Sequence, residues 1–453
     1  MPGHIKLIPP FRLIDAFRSV CRIRLFFPLT ILLFPASAYA LDLIEALSLA
    51  KKNDPVYLAA AANYQADRQL LGQARADLLP NVSATGNRAQ NDKTVDGSPQ
   101  NFGSSGYTLS LRQPLINWAR FEEFRQAKAE VRKAEADYSA ARQELIKRLT
   151  TLYFDVLSAS DTLKLAQSEQ EAISEQLELA KARLEVGLGT ITEVHDANAR
   201  YKLAIAQSVD AENLLQDKRQ ALNEVIGSSP PKLKALKKII PLLLPDPPNA
   251  KDWTDKAQQQ NLSLLAATAE TEIARRELSV KRAGHLPTLD VVGSHTVSDT
   301  VVTFGTKSRQ QTTNNSVRLE LTVPIFSGGK TYALSKEAKY RHQAAIQNME
   351  AVRRNVFRST RNAFLGIKGD VSRVKALDQA VVAGESALEA KKSGFEAGIS
   401  SNIDVLNAQR DLFLSKRDYA QSRYSYLLNL LKLKEAAGIL SIKDLEKING
   451  WLE

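Results

Sequence analysis

Residues 115–186 read LINWARFEEFRQAKAEVRKAEADYSAARQELIKRLTTLYFDVLSASDTLKLAQSEQEAISEQLELAKARLEV, seventy-two positions without one Gly or Pro. As one helix, at about 1.5 Å rise per residue, the stretch would extend roughly 108 Å, several times the width of a small domain. Its apolar residues fall at steps of three and four: Leu149, Leu152, Val156, Ala159, Leu163, Ala166 and, past Gln170, Ile173, Leu177, Ala180 and Leu184. A heptad sustained this long is a seam that packs against other helices as a coiled coil. The rest of the chain has to explain what the rod is attached to and what covers the seam.

Upstream, residues 1–24 carry Lys6, Arg12, Arg18, Arg22 and Arg24, followed by a short apolar run to Phe34 and by Ala38-Tyr39-Ala40. This order is that of a secretory signal peptide with its cleavage site, so residues 1–40 are expected to be removed and the mature chain to begin at Leu41. The apolar run is too short to span a bilayer comfortably. Removal takes away five basic and one acidic side chain and lowers the net charge from +11 to +7. The remaining charges interleave along helical stretches as solvated faces, so no nucleic-acid partner is expected. Cys21, the single cysteine, leaves with the leader, and packing alone must hold an exported chain without disulfides. Position 41 is Leu, which offers no thiol for a lipid anchor at the new N-terminus.

From Leu41 the chain reads as a helix broken at Asn53-Asp54-Pro55, then a strand hairpin over 80–114, the long helix 115–186 and a helix over 191–226. A segment over 230–252 holds Pro230, Pro231, Pro241, Pro245, Pro247 and Pro248. The order then returns: a helix, a hairpin over 286–324, a long helix over 330–397, a helix over 402–437 and a tail over 439–453. Ile367, Val374, Leu388 and Phe395 stand 211 positions after Val156, Leu163, Leu177 and Leu184, and Gly398 and Gly438 stand 211 after Gly187 and Gly227. A shared offset in heptads and turn glycines predicts a tandem duplication, with repeats over 41–229 and 253–438.

The strand runs alternate with period two. Tyr107, Leu109 and Leu111, and later Val317, Leu319, Leu321 and Val323, share one face, while Thr108, Ser110 and Arg112, and Arg318, Glu320 and Thr322, share the other. Each run is about ten residues, the length of a tilted membrane strand. A half-buried soluble sheet would alternate in the same way. Export and strand number separate the two cases, because four strands cannot close a barrel and open edges are forbidden in lipid. Several copies must therefore pool their strands, and pooling would also bundle the rods. The expected fold is an α+β membrane protein in which a long antiparallel coiled-coil α-barrel continues a transmembrane β-barrel built from four strands per protomer. Residues 90–106 and 297–315 are expected as external loops.

Several motifs together resemble the TolC family of outer-membrane export ducts: Pro114 and Pro324 at strand ends, residues 185–194 (EVGLGTITEV), Ala397-Gly398 ahead of residues 403–408 (IDVLNA), and residues 423–428 (RYSYLL). The resemblance covers essentially the whole mature chain. It implies a homotrimer with a shared twelve-strand outer-membrane barrel set in lipid and a periplasmic tunnel of twelve helices, belted by the proline-rich segment and chain end. It also implies passive exit for substrates from an inner-membrane transporter, ABC-type or proton-driven, through a periplasmic adaptor. Adaptor docking would fall on the helix–helix turns Gly187-Leu188-Gly189-Thr190 and Gly398-Ile399-Ser400-Ser401. The family's pore entrance carries two rings of aspartate and an arginine in the preceding turn. Asp404 keeps the first ring, Asn407 takes the second, and Ser400 stands where the arginine would be. Three Asp404 carboxylates near one axis would repel one another and raise each other's pKa.

Catalysis is not expected. His195, His285, His295 and His342 are scattered without metal spacing, no thiol remains, and Gly187-x-Gly189 lacks the preceding strand of a nucleotide loop. No metal or cofactor is called for. Type I protein secretion is favoured over proton-driven drug efflux, because efflux ducts of this kind often carry a lipidated Cys where this chain has Leu41. A reading of another class, a periplasmic coiled-coil adaptor or structural spacer, would require the four alternating runs to form a soluble domain.

Overall fold

The computed structural model describes residues 40–229, 232–304 and 306–453. The signal-peptide reading of residues 1–40 lies outside them, Ala40 excepted. In chain order the elements are α1 (Leu43–Asn53), α2 (Pro55–Ala76), β1 (Asn81–Val95), β2 (Ser98–Ile116), α3 (Trp118–Glu185), α4 (Ile191–Ile226), α5 (Ala250–Gln260), α6 (Leu262–Ala283), β3 (Thr288–Phe304), β4 (Thr306–Thr322), α7 (Lys330–Glu396), α8 (Asn402–Ala436) and α9 (Ile442–Asn449).

The rod is a single helix, α3, of 68 residues, and α7 is its counterpart with 67. It starts three residues later than expected. Leu115 and Ile116 stay in the strand, and Asn117 caps the helix by accepting the Arg120 amide at 3.2 Å. The heptad residues form the seam. Leu149, Val156, Ala159, Ala166, Ile173, Leu177 and Ala180 are buried, and Leu152, Leu163, Gln170 and Leu184 are half-buried. In α7, Ile367, Val374 and Phe395 are buried and Leu388 is half-buried. The partners are neighbours in sequence, α4 for α3 and α8 for α7, and the two hairpins meet chiefly through α3 and α8.

The break between α1 and α2 is held by Asp54, 2% exposed. Its amide donates to Ala50 O at 2.8 Å, and its carboxylate accepts from the Tyr57 amide at 3.1 Å and from Arg148 of α3. Asn261 makes the same kind of cap for α6, accepting the Leu264 amide at 3.1 Å. The main core lies where α3, α4, α7 and α8 pass the chain ends. Tyr153, Phe154, Leu149, Leu222, Ile226, Ile367, Tyr426 and Leu427 are fully buried there, and each such side chain contributes about 1.5–3 kcal/mol. The Tyr153 hydroxyl lies 2.9 Å from Leu41 O and 3.0 Å from Lys234 O, within donating reach of either, and pins Leu41 and the proline-rich segment to the rod. Residues 439–453, expected as a tail, contain α9, whose Leu445 and Ile448 enter this core. The chain end also pairs with the proline-rich segment through Glu453 N–Ala235 O at 2.9 Å and Ala235 N–Glu453 O at 3.0 Å.

The sheet is antiparallel in the order β1-β2-β3-β4. The expectation of strands of about ten residues is corrected: they run 15 to 19 residues. The expected loops over 90–106 and 297–315 are largely strand, and β1 turns into β2 at Asp96-Gly97, both at positive φ. Polar side chains on both faces hide this outer portion from any hydrophobic period. Register places Val82, Leu109, Leu111, Val317, Leu319 and Leu321 on one exposed apolar face. The opposite face carries Arg112–Asp290 at 2.6 Å, Arg112–Glu320 at 3.7 Å and Arg318–Glu320 at 3.5 Å. His295 is an exception on the apolar face, within 2.5 Å of Asn315 Oδ1 and 3.4 Å of Tyr107 Oη. Among the described residues no helix is long and apolar enough to cross a membrane.

Outside the sheet, Glu272 of α6 is clamped by Arg275 at 2.6 Å and Arg276 at 2.7 Å. Hydrogen bonds from Arg275 and then Arg276 hold its carboxyl at about 2. A depressed acid stabilises the fold above its unfolded pKa and loses that contribution as pH falls through its folded value. Glu272→Gln should therefore lower the thermal midpoint at neutral pH, with the deficit closing between pH 4.5 and about 2. A deficit unchanged across that range would show that the clamp does not act through charge.

Candidate tunnel entrance and docking turns

The two helix–helix turns are built alike. In the first, Gly187 takes φ +73°, its amide donates to Leu184 O at 3.0 Å, and the Leu188 amide donates to Arg183 O at 2.8 Å. This closes α3 with the paired bonds of a glycine C-terminal cap. Thr190 then opens α4 with a capping box: the Glu193 amide donates to Thr190 Oγ1 at 3.3 Å and the Thr190 amide to Glu193 Oε2 at 3.0 Å. In the second turn Gly398 takes φ +75°, its amide donates to Phe395 O at 3.1 Å, and the Ile399 amide donates to Gly394 O at 2.7 Å. Ser401 and Asp404 form the second box, with Ser401 N to Asp404 Oδ2 at 2.9 Å and Asp404 N to Ser401 Oγ at 3.2 Å. What the turns present outward is apolar: Leu188 is 71% exposed and Ile399 85%.

The three residues expected at the entrance separate in role. Within one chain, the Ser401 backbone amide, the Ser401 hydroxyl and Lys391, in that order, hold the Asp404 carboxyl below the usual carboxylate range. Lys391 Nζ lies 3.8 Å away. The expected upward shift requires copies that a single chain does not contain. Ser400 does not reach Asp404: its amide donates to Gly394 O at 3.0 Å and closes the turn. Asn407 Oδ1 accepts from Arg200 Nη2 of α4 at 2.9 Å, a bond between the two hairpins.

Three contributors were not read from the sequence. Lys391 faces Asp404 because the two stand almost symmetrically about the α7–α8 turn, so the register of an antiparallel hairpin could have found it. Arg200 and Arg183 give no such signal, since their partners lie on the other hairpin. Arg183 sits over the Phe395 ring, 4.7 Å from its centroid. Beneath Arg200 a cavity of about 430 Å³ opens between α3, α4 and α8, with Ile173, Leu203 and Leu406 as floor and Glu169 and Arg410 at its walls. Burial pushes the Glu169 carboxyl up, against the pull of Arg410 and Arg417. Among the described residues no group of three His, Cys, Asp or Glu side chains is placed to hold a metal ion.

The profile of the outer membrane efflux protein family matches residues 46–228 and 253–439. The chain belongs to that family. Among its relatives, this efflux-family chain is 33% identical over 426 residues to the outer membrane protein TolC of Vibrio cholerae, covering 92% of this chain and 95% of that one. It is 27% identical over 431 residues to the proteases secretion protein PrtF of Dickeya chrysanthemi, covering 92% of each. In fold it is similar to the CmeC outer membrane channel of Campylobacter jejuni, with a TM-score of 0.76, 18% identity and coverage of 91% of this chain and 90% of that one. This efflux-family member is an outer-membrane channel protein, with its helical portion in the periplasm.

Proposed function

We propose that three copies of this chain close one twelve-strand β-barrel in the outer membrane and bundle their rods into one periplasmic tunnel. The single observation that carries this reading is the sheet's amphipathic face: Val82, Leu109, Leu111, Val317, Leu319 and Leu321 are exposed together on strands whose opposite face is charged. Lipid suits the first face and water the second. Four strands with two free edges require further copies. The repeated element order and the shared 211-residue offset of the turn glycines support a tandem duplication, in which each copy supplies one hairpin of strands and one of helices.

The tunnel gives passive exit to substrates handed over by an inner-membrane transporter through a periplasmic adaptor that docks on the two turns. No catalytic step is assigned. Type I protein secretion is the favoured role, supported by Leu41 at the expected mature N-terminus and by full-length similarity to PrtF, a proteases secretion protein. Drug efflux is the second reading, supported by the match to the outer membrane efflux protein family. Asp404 marks the entrance, where three carboxylates approach the axis. Detergent-purified protein in a planar bilayer should form pores of low conductance blocked by divalent cations. Asp404→Ala should weaken that block several-fold by removing one charge per copy. Protein that forms no pores and stays soluble without detergent would sink the barrel.

A further inference from the structure

At the end of the molecule that holds the proposed entrance, several acids face cationic or hydrogen-bonding groups, while Asp196, which lines the same cavity as Arg200, makes no ion pair among the described residues. Asp404 accepts from Ser401 and faces Lys391 at 3.8 Å. Asp411 accepts from Arg410 at 3.2 Å. Glu169 is half-buried, is pushed toward its neutral form by that burial, and faces Arg410 and Arg417. The guanidinium groups are placed differently. Arg200 donates to the neutral amide of Asn407, and among the described residues no carboxylate lies within 4.0 Å of it. Arg183 rests on an aromatic ring and points at Leu188 O, 3.5 Å away. A cation bonded to a neutral acceptor keeps its full field, whereas an ion pair largely cancels its own beyond a few ångströms. Arg200 is also half-exposed, over the cavity shared with Ile403 and Arg410, so its charge is available to a passing solute.

We propose that Arg200 is a specificity-determining residue of the entrance. Its three guanidinium groups, beside neutral Asn407, offset part of the field of the Asp404 carboxylates, which still bind divalent cations, and admit anionic solutes that those carboxylates alone would repel. The inference rests on the entrance reading, because only an Arg200 that faces the conduction path can set its ion preference. Asn407 supports it in two ways. Its carbonyl oxygen orients the guanidinium, and, being neutral, it adds no charge that would cancel the guanidinium's. Aspartate at the same position would accept the same bond and cancel the charge.

The test is the reversal potential of the purified full-length protein in a planar bilayer under a KCl gradient at about 0.1 M, where fields reach roughly 10 Å. Arg200→Gln removes three charges per trimer and should raise the potassium-to-chloride permeability ratio at least about twofold. Asn407→Asp should shift it in the same direction with Arg200 intact, and Arg200→Lys should keep the wild-type ratio. Channel formation by each variant reports that it has folded and assembled. If Asp404→Asn moves the ratio and Arg200→Gln does not, Arg200 lies off the path and the inference fails while the entrance stands. If neither moves it, the entrance reading fails and takes the inference with it.

Discussion

Gly438→Ala should cost this protein about 4 kcal/mol or more and prevent recovery of assembled channels, while Gly398→Ala costs only about 1–2 kcal/mol. The two glycines have the same backbone, each at φ +75° just beyond the last helical turn. An L-residue in that region carries a penalty at either site. Their surroundings set them apart. A Cβ on Gly398 would meet nothing within 4 Å, whereas on Gly438 it would fall 2.0 Å from the carbonyl oxygen of Gln260 and 2.8 Å from the amide nitrogen of Asn261. Those are backbone atoms at the joint between α5 and α6, and no rotamer moves them aside. Asn261 Nδ2 also donates to Ala436 O at 2.9 Å, so shifting the joint breaks the cap that holds the end of α8. Thermal unfolding followed by circular dichroism on both variants separates the terms. Equal losses would mean that the joint yields freely and that backbone strain alone decides the cost.

The contrast between those glycines also marks what a sequence can and cannot convey. Both are legible as helix ends, because each stands 211 positions after a turn glycine of the first half, Gly187 or Gly227. The contact that makes one of them critical joins Gly438 to residues far away in the chain and leaves no local trace. The strands divide in the same way. Below Tyr107 and Val317 one face is apolar and the period of two is visible. Beyond them Asn87, Gln90, Asn91 and Asp92 on β1 are polar on both faces, so pairing continues where periodicity ends. Asp96-Gly97, a dipeptide suited to a two-residue hairpin turn, was the one available sign that the strands run on. In α9 the signal was present as Ser441-x-x-Asp444, a capping-box pattern ahead of Leu445 and Ile448. At the proposed entrance, the Ser401–Asp404 cap was legible from the local sequence. The Arg200–Asn407 bond was not, because it crosses from one hairpin to the other.

Leu188→Asp combined with Ile399→Asp should abolish export in cells, by more than about thirtyfold, while leaving the purified channel's conductance within about twofold of wild type. The expectation follows from what the turns expose. Leu188 and Ile399 stand at the outermost point of each helical hairpin, and Val186 and Ile191 are exposed beside Leu188. An apolar tip on a tunnel that works in water is unfavourable unless something covers it, and the proposed adaptor is the cover. A carboxylate there would have to be desolvated on docking, which costs far more than the lost leucine contact. The fold should tolerate the change, since both side chains point away from the seam and the caps use backbone groups of these residues. Gly187 and Gly398, untouched in the variant, keep the left-handed geometry of the turns. Secretion or drug resistance measured in cells, alongside bilayer conductance of the same protein, gives the two readouts. Loss of export with intact conductance locates docking at the turns. Normal export from the double variant would move docking to the sides of the helices, and loss of both would mean that the turns hold the tunnel together.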